Sequence, residues 1–235
     1  MCTGRVDMEF VLRAFQDGID GVFVGGCKLN ECNYITHGNY QALNMVLLMK
    51  RILQHVGLNP DRLRIEFMSA GDGIRFAEVT NDFVKQVKAI GPLGKAEGIS
   101  KADLKSRLAE VEKLVPYIKV LKNEKMSTRL SNKADYDNFF TKEEVEEMFN
   151  DVVSYYIDPG KCQACGTCAR KCPVEAITGG KNIVHQIDQD KCIKCGTCIA
   201  SCPPKFSAIK KIVHEPVPAP LPEDKRAVVR PGKAV

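Results

Sequence analysis

The sequence has no long hydrophobic run, few histidines and no glycine-rich nucleotide loop. Its longest apolar stretches fall well short of the roughly 20 residues a helix needs to cross a bilayer, so no direct membrane insertion is expected. No targeting segment precedes Cys2, which leads us to expect a cytoplasmic chain without structural disulfides. The four histidines, His37, His55, His185 and His214, form no ligand pattern. Gly25-Gly26 is followed by neither G-x-G-x-x-G nor GK[ST], which removes the common phosphate cradles. No serine–histidine–acid or paired-carboxylate arrangement stands out, so no catalytic residue is assigned. Basic residues are interspersed with acidic ones and no recognition-helix motif occurs, which argues against a nucleic-acid partner.

What the chain does have is cysteine, 11 in all. Eight fall in two runs, Cys162-Gln-Ala-Cys165-Gly-Thr-Cys168-Ala-Arg-Lys-Cys172-Pro173 and Cys192-Ile-Lys-Cys195-Gly-Thr-Cys198-Ile-Ala-Ser-Cys202-Pro203. Both read C-x2-C-x2-C-x3-C-P, the spacing that sets three thiolates around one corner of an iron–sulfur cube. In tandem the two runs bind two [4Fe-4S] clusters, and the fourth cysteine of each run crosses to the other cluster. The first cluster is therefore assigned Cys162, Cys165, Cys168 and Cys202, the second Cys192, Cys195, Cys198 and Cys172. Zinc prefers paired C-x2-C knuckles and does not account for the prolyl fourth cysteine. Residues 155–212 resemble bacterial-type two-cluster ferredoxins.

The formal charge of +5 counts cysteines as neutral. Each oxidised cube with its four thiolates carries −2, so two of them bring the total to about +1. The basic excess is thus largely compensation for the clusters.

The first ninety residues alternate helix and strand. Asp7 is placed to cap a helix carrying Phe10, Val11, Leu12, Ala14 and Phe15, stopped at Gly18. Gly21 to Gly26 reads as a short buried strand, and Cys27 follows its carboxyl end. A helix is expected from Tyr40 to His55, burying Leu43, Val46, Leu47, Met49 and Leu53. A second strand is expected over Leu63–Met68, the Ser69–Gly73 loop after it, and a third helix from Ile74 to Ile90. Such alternation predicts an α/β fold with a small parallel sheet, whose functional loops lie at the carboxyl ends of the strands. Cys27, Cys32 and the Ser69–Gly73 loop then meet there. Free cysteines are often small buried hydrophobes, but Cys27 and Cys32 flank a polar stretch. Their C-x4-C gap occurs in plant-type [2Fe-2S] loops, although the further C-x2-C is absent.

The strings MCTGRVD (1–7), FVLRAFQDGIDGVFVGGC (10–27), ECNY (31–34), HGNY (37–40), PDRLRIEFMSAGDGIRFAE (60–78) and Ile90-Gly91-Pro92 resemble the delta subunit of methyl-viologen-reducing hydrogenase, over residues 1–94. The resemblance implies an iron–sulfur module of anaerobic methanogenesis holding a [2Fe-2S] cluster at positions matching Cys2, Cys27 and Cys32. It implies electron delivery to the flavin-bearing A subunit of an electron-bifurcating heterodisulfide reductase-type complex, from a hydrogenase or a formate dehydrogenase. Compared with that family, an upstream strand and a cysteine-bearing loop are missing, and Asn33 stands where histidine is frequent. Three cysteines leave a four-ligand cluster short. Either a neighbouring chain supplies the first strand and a ligand, or the recorded start is too late.

Residues 95–154 read as a helical connector. Leu104, Leu108, Val111, Val115 and Ile118 make one apolar side, from Ala102 to about Val115, and Pro116 is expected to kink or end the helix. Residues 122–133 are expected to be loop. Thr141-Lys-Glu-Glu144 is a capping box opening a helix with Val145, Met148, Phe149 and Val152. Residues 213–235, with Pro216, Pro218, Pro220, Pro222 and Pro231, predict an extended tail, either solvated or lying along another protein of a complex. The whole is expected to be an α/β module, a helical connector and an α+β two-cluster ferredoxin fold serving as an electron-transfer subunit. The alternatives are a fused module of a quinone-interacting oxidoreductase complex, or a redox sensor that binds nucleic acid.

Overall fold

The computed structural model describes residues 2–34 and 37–228. These form two compact units, divided between Glu147 and Met148.

In the first unit, Asp7 Oδ1 accepts the Glu9 N–H at 3.1 Å and opens α1 (Met8–Gln16), which buries Met8, Val11, Leu12 and Phe15. Phe10, expected on the apolar side, is exposed. Strand β1 (Val22–Gly26) leads through the cysteine loop into α2 (Asn39–Val56), then β2 (Leu63–Phe67) and α3 (Gly73–Ile90). β1 and β2 pair in parallel, from Val22↔Leu63 to Gly26↔Phe67. Parallel strands need a crossover, and α2 supplies it. The expected apolar side of α2 is too narrow. Leu47 is half-buried, whereas Met45, Leu48 and Ile52 are fully buried, because β2 and the helical segments 101–121, 123–126 and 136–139 contact the helix from several sides.

Ser100 Oγ accepts the Asp103 N–H and starts α4 (Lys101–Leu121). Its stripe Leu104, Leu108, Val111, Val115 and Ile118 is buried, with α1 among its neighbours. The helix does not stop near Val115. Tyr117 and Ile118 continue the buried side beyond Pro116, and their packing offsets the hydrogen bond the proline cannot donate. Residues 122–133 are not all loop either, since Asn123–Met126 form the short α5. Then come α6 (Tyr136–Phe139) and α7 (Lys142–Asn150). Thr141 Oγ1 caps Glu144 N at 3.1 Å. Glu144 itself is held by Lys122 and Lys125, so its carboxylate serves a salt bridge instead of the reciprocal half of the capping box.

The second unit is built twice over. β3 (Ser154–Ile157), a cysteine loop, α8 (Thr167–Lys171) and β4 (Ile177–Gly180) are followed by β5 (Ile183–Ile187), a second loop, α9 (Thr197–Ser201) and β6 (Ile209–Ile212). β3 pairs antiparallel with β6, and β4 with β5. Its core mixes Tyr155, Ile157, Ile177, Val184 and Ile209 with Cys162, Cys168 and Cys198. The tail does not leave the unit over its described part. Val184 N donates to Arg226 O, Val228 N to Asn182 O, and Ala227 bridges Ile183, so the chain lies back along β5. Pro231 lies outside the described residues. Among the described residues no helix is long and apolar enough to cross a membrane.

Candidate iron–sulfur centres

The two cysteine loops have the same backbone. Cys162 N donates to Asp158 O and Cys192 N to Asp188 O, each at 3.0 Å. Each loop then takes two left-handed residues, Ala164 (φ 53°) and Gly166 (φ 71°) in the first, Lys194 (φ 57°) and Gly196 (φ 76°) in the second. Such turns aim successive N–H groups inward and make anion-binding concavities. Lys194 N approaches Cys192 Sγ at 3.4 Å, and Ala176 N approaches Cys172 Sγ at 3.3 Å. Short helices α8 and α9 then carry the chain to the fourth cysteines.

Two cavities result. One is lined by Cys162, Cys165, Cys168 and Cys202 together with Ile157, Phe206 and His185. The other is lined by Cys192, Cys195, Cys198 and Cys172 together with Tyr155, Ile177 and Ile187. Each cavity thus gathers three cysteines of one run and the fourth of the other. Four thiols lining one apolar pocket are a donor set that fits an iron–sulfur cluster.

Burial pushes the Cys168 thiol up to about 11 and the Cys198 thiol up to about 12, and raises Cys192. Thiols so reluctant to ionise alone ionise when iron takes the proton's place. Cys165 moves the other way. The Thr167 N–H lowers it most, and the Thr167 hydroxyl and Arg170 add to this against partial desolvation. Sequence reasoning missed His185, Tyr155 and Arg170 as neighbours of these sites, because no spacing rule connects them to the runs.

A third group lies at the carboxyl end of β1. Cys2 Sγ and Cys32 Sγ are 3.4 Å apart, and Cys32 also interacts with Cys27. Asn39, another residue the sequence did not single out, binds Cys27 O at 2.9 Å and Lys28 O at 2.7 Å, with Nδ2 3.7 Å from Cys27 Sγ. Thr3 Oγ1 ties the chain to Gly25 O at 2.8 Å. Lys28 pairs with Asp72 at 2.8 Å and Ser69 Oγ donates to Glu31 at 2.9 Å, so the Ser69–Gly73 loop closes on the same edge. Partial desolvation raises Cys2 and Cys27. In Cys32 desolvation acts upward too, but the Tyr34 and Asn39 N–H groups and the two neighbouring thiols bring it below its ordinary value. All three cysteines are half-buried, unlike packing residues of a core.

Comparison with known proteins matches the two ends of the chain to different families. Residues 1–91 match the family of the delta subunit of methyl-viologen-reducing hydrogenase, and residues 155–178 and 186–209 each match a 4Fe-4S binding domain. The iron-sulfur D subunit of the vhc F420-non-reducing hydrogenase of Methanococcus voltae is 38% identical over 103 residues, covering 44% of this chain and 71% of the relative. Its counterpart in the F420-non-reducing hydrogenase of Archaeoglobus profundus is 43% identical over 91 residues, 39% of this chain and 66% of the relative. The A subunit of the ferredoxin/F420H2-dependent CoB-CoM heterodisulfide reductase of Methanosarcina acetivorans is 47% identical over 94 residues, 40% of this chain and 12% of the relative. The chain therefore spans about two thirds of the length of these hydrogenase relatives and about an eighth of that of the reductase relative.

Proposed function

Because the chain belongs, in its first 91 residues, to the delta-subunit family of methyl-viologen-reducing hydrogenase and carries two 4Fe-4S binding domains after them, we propose that it is an iron–sulfur electron-transfer subunit of an oxidoreductase complex. The observation that carries this reading is the pair of cavities, each lined by four cysteines drawn from both runs. When bound, cubane clusters there supply reversible one-electron sites whose potentials the surrounding protein tunes. The chain's own part is to hold them: Cys162, Cys165, Cys168 and Cys202 for one, Cys192, Cys195, Cys198 and Cys172 for the other. Apolar walls and inward N–H groups fix the environment. At the third group, Cys2, Cys27 and Cys32 supply three ligands of a [2Fe-2S] cluster, with the fourth coming from outside these three.

The partners follow from the relatives. The chain relays electrons between a hydrogenase or a formate dehydrogenase and a flavin-bearing subunit of a heterodisulfide reductase-type, electron-bifurcating complex in the cytoplasm. It contributes no catalytic residue of its own. Anaerobic purification with iron, sulfide and EPR analysis tests the central claim. About eight irons per chain are expected from the ferredoxin unit, and about two more where the third site is filled. Two zinc ions per chain with no reducible signal would overturn it. Co-purifying hydrogenase, formate dehydrogenase or flavin subunits support the assigned partners, and a quinone-reactive membrane complex would replace them.

A further inference from the structure

The two cavities are built on one backbone plan, so differences between them are informative. Near the first, the Arg170 guanidinium lies 3.3 Å from Cys165 O and 3.4 Å from Thr167 Oγ1. The equivalent residue of the second run is Ala200. Three residues after each fourth cysteine the charges are opposite. Lys205 follows Cys202, which lines the first cavity, and Glu175 follows Cys172, which lines the second. Cys165 is exposed, whereas Cys195 is half-buried. Against these stands Lys194 in the second run, whose Nζ is tied to Ser154 Oγ at 3.0 Å. Lys161 and Lys191 precede the two runs alike and cancel. Lys171 sits between Cys168 and Cys172, one from each cavity, and favours neither.

Positive charge and solvent exposure both stabilise the more negative, reduced form of a cluster and so raise its potential. We infer that the site of Cys162, Cys165, Cys168 and Cys202 has the higher potential of the pair, with Arg170 and the Lys205/Glu175 contrast setting the order. An electron shared within this unit then passes from the reduced second site to the oxidised first site, and no proton or bond moves with it. Arg170 acts here as a tuning residue, through space and through the Cys165 carbonyl.

The inference rests on the two-cluster reading, and an EPR-monitored redox titration of the full, iron-loaded chain separates the two. Eight irons with two one-electron cubane waves, beside any iron and wave of the third site, establish the clusters, and the variants then assign the two waves. Arg170→Gln is expected to move the higher wave to more negative potential and leave the lower one in place. Ala200→Arg and Glu175→Gln are expected to raise the lower wave. All three positions are exposed, so the variants should retain their iron, and any one of the three that loses it is replaced by the other two. Coincident waves, waves unmoved by the variants, or an Arg170→Gln shift confined to the lower wave would overturn the assigned order while leaving the clusters standing. Absence of both waves would overturn the order and the two-cluster reading together.

Discussion

At the scale of single residues, the glycine between the second and third cysteines of each run has one backbone role and two different surroundings. Both Gly166 and Gly196 sit at positive φ, where a side chain is strained. A Cβ on Gly166 would meet Arg170 Nη1 at 2.9 Å, the tip of an exposed, flexible side chain that can swing aside. On Gly196 it would meet Tyr155 Oη at 2.8 Å, on a ring fixed in the core by β3. Gly166→Ala is therefore expected to cost about 1–2 kcal/mol, the penalty for a side chain at such a φ, and Gly196→Ala clearly more. Anaerobic denaturant titration of the two variants compares them, and equal losses would show that the Tyr155 contact relaxes freely. The glycines and all eight cysteines were legible in the sequence because their spacing is local. Tyr155 was not, since it reaches Gly196 from a strand about forty residues earlier, and only the β3–β6 pairing puts it there.

The elements of the first unit were read to within a residue or two wherever apolar periodicity and a capping residue agreed, as at Asp7 and at Gly91-Pro92. They were misread where a distant side chain decided the outcome. Helix α5 exists within an expected loop because Asn44, fully buried in α2, donates to the carbonyls of Lys125, Met126 and Thr128. The pairing of Arg62 with Glu97 is another such case. Arg62 is completely buried at the entrance to β2, and binds Glu97 at 2.7 and 3.0 Å as well as the carbonyls of Asp20, Gly91 and Pro92. It thereby fastens the turn before β1 to the segment after α3. Removing Glu97 leaves the buried Arg62 charge without a counter-charge and with carbonyl partners only, so Glu97→Ala is expected to cost about 3 kcal/mol, the lower end for a broken buried pair. Burial works to raise the Glu97 carboxyl, but the bonds from Arg62 and Asn59 N outweigh it and hold the group below its ordinary value. A depressed acid stabilises the fold fully above its unfolded value of about 4.3, and the contribution fades as the pH falls through the lower folded value. The difference in stability between the wild type and Glu97→Gln should accordingly be largest near neutrality and shrink below about pH 4. A difference that stays constant across that range would mean that the carboxylate charge is not what Arg62 requires.

For the whole molecule, the two units differ in what holds them together. Residues 1–147 bury a conventional core of α1, α2 and α4 side chains, from Leu12 and Phe15 to Leu53 and Leu108. The second unit, over its described residues, rests on two separate two-stranded sheets and a small core that includes three cysteines. A two-stranded ribbon is marginal in water by itself, so clusters bound across the two runs would supply much of that unit's cohesion, as structural metals do in other small domains. Anaerobic chelation of the iron is thus expected to abolish amide protection in residues 154–212 while the helices of the first unit keep theirs, which hydrogen exchange reads directly. Retained protection in β3 and β6 after iron removal would show that the apolar core suffices. The crossing of the fourth ligands makes this a test of connectivity as well. Since Cys172 lines the cavity of the second run and Cys202 that of the first, each cluster joins both halves of the repeat. Cys172→Ser should therefore disturb the EPR signal that Ala200→Arg shifts, and Cys202→Ser the signal that Arg170→Gln shifts. Because each serine still leaves three thiolates on its cube, loss of one iron from the affected cluster is the expected form of damage. Signals disturbed within the mutated run alone would mean that each run closes on its own cluster, and the two halves would then be joined only by their strands.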